Sequence, residues 1–179
     1  MPSPRLYAGQ ILTADRWNAA LPLLVMQEND QTVTSATTGT TLINSEITFT
    51  PEINATYQYE LLLSYSATVN SDFKWAWDAA HALFCSFTLA YASGVATGVN
   101  TGGDTVLRRP GNTTGRIAGG TDAAATTPVN FHSAYDRGTF ATDGTVGTIT
   151  MQFAQNTSST DQTILRGGNQ TRILYRRIA

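Results

Sequence analysis

The chain has 179 residues, of which 41% are hydrophobic and only 13% are charged, and its formal net charge at pH 7 is −2. This length is enough for one domain with a real core, and the small net charge excludes a global field that would attract nucleic acid or an anionic membrane. A typical domain has about 25% charged residues, so the polar surface must consist mainly of threonine, serine, asparagine and glycine, which argues against a helical protein.

The first twelve residues lack the continuous apolar core of a secretory signal. No run in the chain approaches the ~20 apolar residues that a membrane-spanning helix needs. We therefore expect a soluble protein that is made in a cytoplasm and has no membrane partner.

Residues 1–26 are predicted to form an N-terminal anchoring arm with one short helix. Thr13 is a suitable N-cap, and Leu12 and Trp17 occupy the positions of a hydrophobic staple. Pro22 ends the helix. Two helical turns are not stable alone in water, so the apolar side chains must pack on the protein's own sandwich or on a partner.

Residues 27–179 are predicted to form an antiparallel β-sandwich or jelly roll, so the fold class is all-β. Three consecutive runs, 57–67, 73–77 and 83–91, carry apolar residues at every second position. This period is typical of half-buried strands, and short polar segments separate the runs. The inward residues expected in the second and third runs are Phe73, Trp75 and Trp77, and Leu83, Cys85, Phe87, Leu89 and Tyr91.

Further strands are expected on both sides of these runs. Before them, 23–26 is predicted as a strand or an extended connection; after them, Asp143-Gly144 predicts a type I′ hairpin between 139–142 and 145–153. The Gly/Thr-rich stretch 92–128 is expected to be irregular, with short strands at 105–107 and 116–118; a domain boundary there is the open alternative. The remaining predicted strands are 32–37, 41–49, 129–135, 163–166 and 171–178.

The last predicted strand carries three arginines, Arg172, Arg176 and Arg177. Charged side chains on a closing strand protect a sheet edge from unwanted pairing, or they contact an acidic partner surface. Both interpretations are open at this point.

No constellation in the sequence predicts catalysis, a cofactor or a metal. His81 and His132 have no Cys, His or Asp at metal-ligand spacing. A glycosidase would need two carboxylates facing each other across a groove, drawn from Asp72, Asp78 and Glu60. We disfavour this interpretation. Nothing marks out a nucleophilic serine or a phosphate-binding loop, and the lone Cys85 is expected to be a small core residue.

Two aromatic residues admit two interpretations. Trp75 and Trp77, together with Tyr91, fit a sugar-stacking platform, but their period-two placement among other apolar residues favours a place in the core.

Three sequence segments resemble small virion structural proteins of tailed bacteriophages that infect actinobacteria. They are the opening RLYAGQILTADRWNAALP (5–22), the Thr-rich DQTVTSATTGTTLIN (30–44) and PEINATYQYELLLSYSA (51–67). A closing strand after a Gly-Gly-Asn turn adds a looser match at the C-terminus. Members of this group place a YAGQ-type N-terminal segment before a β-rich domain.

The resemblance implies a non-enzymatic capsid decoration (cement) protein on the virion exterior. Its partners would be the major capsid protein and copies of itself, as a homotrimer, with no nucleic acid partner. The arm would anchor on a neighbour through Tyr7, Leu12, Trp17 and Leu21. The alternative is a tail or baseplate-associated module in which the Gly-rich loops and Trp75 or Trp77 bind host glycan.

Overall fold

The structure, a computed structural model, describes residues 8–9, 11, 13, 21–91, 105–110, 115–120, 122 and 128–179. All regular secondary structure in this part of the chain is β-strand, in two antiparallel sheets. The strands are β1 (Leu23–Met26), β2 (Gln31–Val33), β3 (Ile43–Phe49), β4 (Thr56–Ala67), β5 (Phe73–Asp78), β6 (Ala82–Tyr91), β7 (Thr105–Pro110), β8 (Arg116–Ala118), β9 (His132–Thr142), β10 (Ile149–Ala154), β11 (Thr163–Leu165) and β12 (Arg172–Arg177).

The larger sheet has the order β1-β12-β4-β9-β6-β7, and the smaller sheet has the order β3-β10-β5-β8. Strands β11 and β12 both pair with the same edge of β4, β11 along residues 65–67 and β12 along residues 57–62. The turn between them contains Gly168 and Asn169, both at positive φ, as the predicted Gly-Gly-Asn turn requires. Strand β2 extends the larger sheet by pairing with β11.

The inner faces of the two sheets share one aromatic core. Tyr57 and Tyr59 of β4 meet Phe140 of β9, while Trp77 of β5 stacks on Phe84 of β6 with ring centroids 4.6 Å apart. Such ring pairs contribute packing energy beyond the area that they bury. The all-β prediction is confirmed, and two facing sheets with a common core make a sandwich.

Strands β4 and β5 follow the predicted alternation. The odd-numbered residues of β4 from Tyr57 to Ala67 are buried, and so are Phe73, Trp75 and Trp77. In β3, Ile47 and Phe49 point into the core as expected. The short strands predicted inside 92–128 are also present, as β7 and β8.

The predicted orientation of β6 is wrong. Ala82, Phe84 and Ser86 are buried, whereas Leu83 is 67% exposed, Phe87 is 56% exposed and Cys85 is half-exposed on the outer face. Cys85 is therefore not a core residue. The alternation favoured the odd-numbered set, because Phe84 is the one large apolar residue of the even-numbered set. The pairing with β9, which sets Phe84 opposite the buried Phe140, overrides this local pattern.

The hairpin predicted at Asp143-Gly144 is also wrong. Strand β9 belongs to the larger sheet and β10 to the smaller one, and neither Asp143 nor Gly144 has the positive φ that a type I′ turn needs. The segment is instead a crossover between sheets, held by the Asn54 amide, which donates to the Asp143 carbonyl at 2.8 Å. The two strands predicted at 129–135 and 139–142 are one strand, β9.

The predicted N-terminal helix falls outside the described residues. Residues 23–26 of the predicted arm form β1, which pairs with β12 from Leu23 opposite Tyr175 to Met26 opposite Arg172.

Candidate interaction surface

The N-terminal segment enters the sandwich at the edge of the larger sheet. Leu21, Leu23 and Leu24 are all exposed there. In the described part of the chain, β1 has β12 as its one hydrogen-bonded neighbour, so its other edge pairs with no described strand. Strand β1 is short, as protected sheet edges often are, but it carries exposed leucines and no charged residue, whereas charge is a usual protection of exposed edges.

A surface depression of about 190 Å³ lies beside this edge, on the solvent side of the larger sheet. Its lining includes Pro22, Gln58, Glu60, Leu174 and Arg176. Pro22 comes from the entering segment, and the other four come from the outward positions of β4 and β12. The depression is thus formed where the N-terminal segment, β12 and β4 meet.

Of the four predicted arm residues, the structure describes only Leu21, which is exposed. Tyr7, Leu12 and Trp17 lie outside the described residues. Their anchoring role stays a prediction.

The three arginines of β12 do not protect an edge, because β12 lies between β1 and β4. Arg176 donates to Gln58 Oε1 at 2.9 Å, and Arg172 donates to the Asn169 carbonyl at 2.7 Å. Arg177 forms an ion pair with Glu52. Contact with an acidic partner surface stays a prediction for Arg172 and Arg176, whose present acceptors are neutral.

The solvent side of the larger sheet is broad and mixed in character; we call it the outer face. Sequence reasoning missed its β6 part because it placed Leu83 and Phe87 in the core. No local signal could have warned of this, because the odd-numbered residues of β6 are the more apolar set of its sequence. The outward residues are Gln58, Glu60, Leu62 and Ser64 of β4, Ser133, Tyr135, Arg137 and Thr139 of β9, Leu83, Cys85 and Phe87 of β6, and Arg172, Leu174 and Arg176 of β12.

Four charged side chains lie on the outer face, Arg172 and Arg176 on β12 and the pair of Glu60 and Arg137 on the central strands β4 and β9. Arg137 Nε lies 3.5 Å from Glu60 Oε1, and both side chains are partly exposed. Burial raises the pKa of the neighbouring Tyr135, and the Glu60 carboxylate raises it further. Glu60 therefore contacts two residues of β9.

The two histidines do not come together. His81 pairs with Asp143 at 3.1 Å at the surface, whereas His132 is buried, with Nε2 3.9 Å from Asp122. Within the described ranges, no group of three metal-ligating side chains occurs. Where the chain is described, no helix is long and apolar enough to cross a membrane.

The residues weighed for sugar hydrolysis or stacking are not arranged for either. Trp75 and Trp77 are 0% and 1% exposed, so neither presents a stacking surface. Glu60 lies on the outer face of the larger sheet and Asp78 on the exposed side of the smaller one. Asp72 accepts a hydrogen bond from the Gly120 amide at 3.0 Å.

No protein-family model matches the chain, and no curated protein matches it. Among solved structures, it is similar to a chain in the structure of the infectious bursal disease virus Gt strain, with 10% identity and a TM-score of 0.24. It is also similar to the crystal structure of the infectious bursal disease virus VP2 subviral particle, with 12% identity and a TM-score of 0.23. These matches cover 100% of this chain but 43% and 42% of those chains, so the chain spans less than half of their length. Likeness at these TM-scores carries no argument about function.

Proposed function

We propose that this chain is a bacteriophage virion structural protein, specifically a capsid decoration (cement) protein. It binds the exterior of the assembled capsid, with the major capsid protein as its partner, and stabilises the contacts between capsomers. The role is non-enzymatic and needs no cofactor. The resemblance of segments 5–22, 30–44 and 51–67 to phage virion proteins is what directs the proposal to a phage particle.

The observation that carries a binding role is the exposed leucine cluster at the edge of the larger sheet. Leu21, Leu23 and Leu24 lie where the N-terminal segment joins the sandwich. Because successive residues of a strand point to opposite faces, Leu23 and Leu24 expose apolar surface on both sides of this edge. Exposed apolar surface on an otherwise polar protein marks interaction sites. A weak contact of this kind becomes effective when many copies bind one shell, because each bound neighbour raises the local concentration of the next.

The sandwich itself suits a particle surface. Its core consists largely of aromatic and aliphatic side chains packed between two sheets, and its single cysteine cannot form an internal disulfide. Stability therefore does not depend on the redox state of the surroundings. The glycan-binding alternative loses its two tryptophans, since both are buried.

The copy number in purified particles tests the proposal. We expect quantitative mass spectrometry to find this chain at a simple ratio to the major capsid protein, such as one to one or one to three. A ratio about a hundredfold lower would move the protein to the tail, and its absence from particles would end the proposal.

The arm is tested by Trp17→Ala in the full chain. If residues 1–22 anchor the protein, the variant should lose binding to capsids while its thermal unfolding is unchanged. Trp17→Phe, which keeps an aromatic ring, should retain binding. Loss of the thermal transition in Trp17→Ala would instead place the side chain in the protein's own core.

A further inference from the structure

The outer face of the larger sheet is uncovered in the described structure. Phe87 protrudes from it with 56% of its surface exposed, and Leu174 and Leu62 are partly exposed nearby. Antiparallel sheets tolerate one solvated face, but its residues are then normally polar. The apolar content of this face indicates that something packs on it.

Four side chains of the outer face lie in one row across the sheet. Leu174 of β12 pairs with Glu60 of β4, Glu60 pairs with Arg137 of β9, and Arg137 pairs with Phe87 of β6. The row therefore reads apolar, acidic, basic, apolar. Its two charges lie at the centre and its two apolar residues on either side.

We propose that a second copy of this chain packs on the outer face, related by a two-fold axis that runs parallel to the strands between β4 and β9, in place of the homotrimer that the sequence resemblance implies. Such an axis places β4 of one copy opposite β9 of the other and keeps each residue at its own level along the strands. Glu60 of each copy then faces Arg137 of the other, and Leu174 faces Phe87. A two-fold interface requires this kind of self-complementary patch.

The neighbouring pairs of directly opposite residues on β4 and β9, which we call rungs, are complementary across the axis in the same way. Because residues of one rung face each other across this axis, the contacts between copies are Gln58 with Thr139, Leu62 with Tyr135, and Ser64 with Ser133. Within the β4–β9 pair, polar residues thus meet polar ones and apolar residues meet apolar ones. In the flanking strands the match is less complete, since Arg176 of β12 faces Cys85 of β6. A two-fold axis perpendicular to the strands would instead bring Glu60 against Glu60, and like charges at close range disfavour association.

Shape adds to the complementarity of charge. The depression of about 190 Å³ is lined by Leu174, the residue that faces Phe87 of the other copy. A cavity of about 150 Å³ is large enough for benzene, so the depression accommodates a phenyl ring. The two-fold axis repeats this contact, with each Phe87 entering the depression of the opposite copy.

The area is sufficient for a specific interface. Strands β12, β4, β9 and β6 have 6, 12, 11 and 10 residues, about ten on average. At about 4.8 Å between strands and about 3.4 Å per residue, they outline about 650 Å² per copy. Two copies bury about 1,300 Å² in total, which falls within the range of stable interfaces. The twist of facing sheets concentrates the contact at the central rungs, where the matched pairs lie.

Mixing two charge-reversal variants tests the arrangement. The full chain should elute with a mass of 38.4 kDa by light scattering, twice the 19.2 kDa of one chain. Glu60→Arg and Arg137→Glu should each be monomeric, because each places like charges across the axis. An equal mixture should recover the 38.4 kDa species with an affinity at least about tenfold above either variant alone, because each position 60 then again faces a position 137 of opposite charge.

Two further variants serve as a second disruption and a control. Phe87→Arg should abolish association, whereas Ile117→Arg, an equally exposed position on the smaller sheet, should not. Thermal unfolding followed by circular dichroism verifies that each variant folds.

A wild-type mass of 19.2 kDa, a trimer, or a mixture that stays monomeric would overturn the proposal. The test uses the isolated chain, so it is independent of the virion assignment. Absence of the protein from particles would refute the virion role and would not affect the proposal of a two-fold dimer.

Discussion

The ion pair between Arg116 and Asp136 joins the two sheets in the interior of the sandwich, and removing its negative charge should destabilise the fold strongly. Arg116 Nε lies 3.2 Å from Asp136 Oδ2, and the side chains are 1% and 0% exposed. The Nε hydrogen does not point at this oxygen, so the contact is an ion pair rather than a hydrogen bond. We predict that Asp136→Asn, which keeps the shape but removes the charge, leaves the guanidinium buried without compensation.

The structure sets the magnitude. Arginine stays charged at any accessible pH, and its one hydrogen bond to a described residue is from Nη2 to Ser86 Oγ at 2.9 Å. Tyr59 donates its hydroxyl to Asp136 Oδ2 at 3.1 Å. Breaking one side of a buried pair costs about 3–5 kcal/mol, a large part of the 5–15 kcal/mol that typical domains have. For a chain of this size we expect Tm to fall by about 6–20 °C.

Urea denaturation of wild type, Asp136→Asn and the double variant Arg116→Met/Asp136→Leu measures this cost. The double variant removes both charges and should unfold within about 2 kcal/mol of wild type, because two apolar residues need no compensation. A loss below about 1 kcal/mol in Asp136→Asn would refute the reasoning. So would a double variant that is no more stable than the single one.

Two further outcomes follow from local contacts. Gly138→Ala should lower the free energy of unfolding by about 1–3 kcal/mol or prevent folding. The reason is that the added Cβ would overlap the Cys85 carbonyl oxygen and lie 2.7 Å from Ser86 Cα. Urea denaturation measures the effect, and Gly144→Ala, whose Cβ meets nothing nearer than 3.7 Å, is the matched control. A second outcome concerns the Asp30 carboxyl. Burial raises its pKa, but hydrogen bonds from the Gly167 amide and Arg166 lower the pKa by more, so the net pKa lies below its ordinary value. A carboxyl with a lowered pKa adds stability at higher pH that is lost as pH falls through the folded value. Thermal unfolding from pH 7 to pH 2 should therefore show Asp30→Asn less stable than wild type at pH 7, with a gap that narrows as the pH falls below the ordinary pKa of 3.8; a gap of constant size down to pH 2 would contradict this.

Much of the fold could be predicted from particular residues of the sequence. The alternation of Tyr57, Tyr59 and Leu61 with polar residues identified β4 and its buried side, because one side chain set of this strand is strongly apolar and the other is not. The same holds for Phe73, Trp75 and Trp77 of β5. The candidate surface was harder to predict, since the Arg172 and Arg176 positions were recognised but their neighbours Glu60, Arg137 and Phe87 were not.

The sequence by itself determined that the sandwich is built of β-strands, where most of them lie, and which side of β4 and β5 is buried, because alternation with period two is a local property. Only the tertiary structure decided the orientation of β6 and the sheet to which β10 belongs. For β6, the local alternation favoured the side of Leu83 and Phe87, but the hydrogen-bonded register with β9 selects Phe84 for the core and leaves Phe87 outside. For β10, the Asp143-Gly144 segment leads away from β9 because β3 and β5 provide its pairing partners, and partners that lie about seventy or more residues away in sequence leave no mark in a local turn motif.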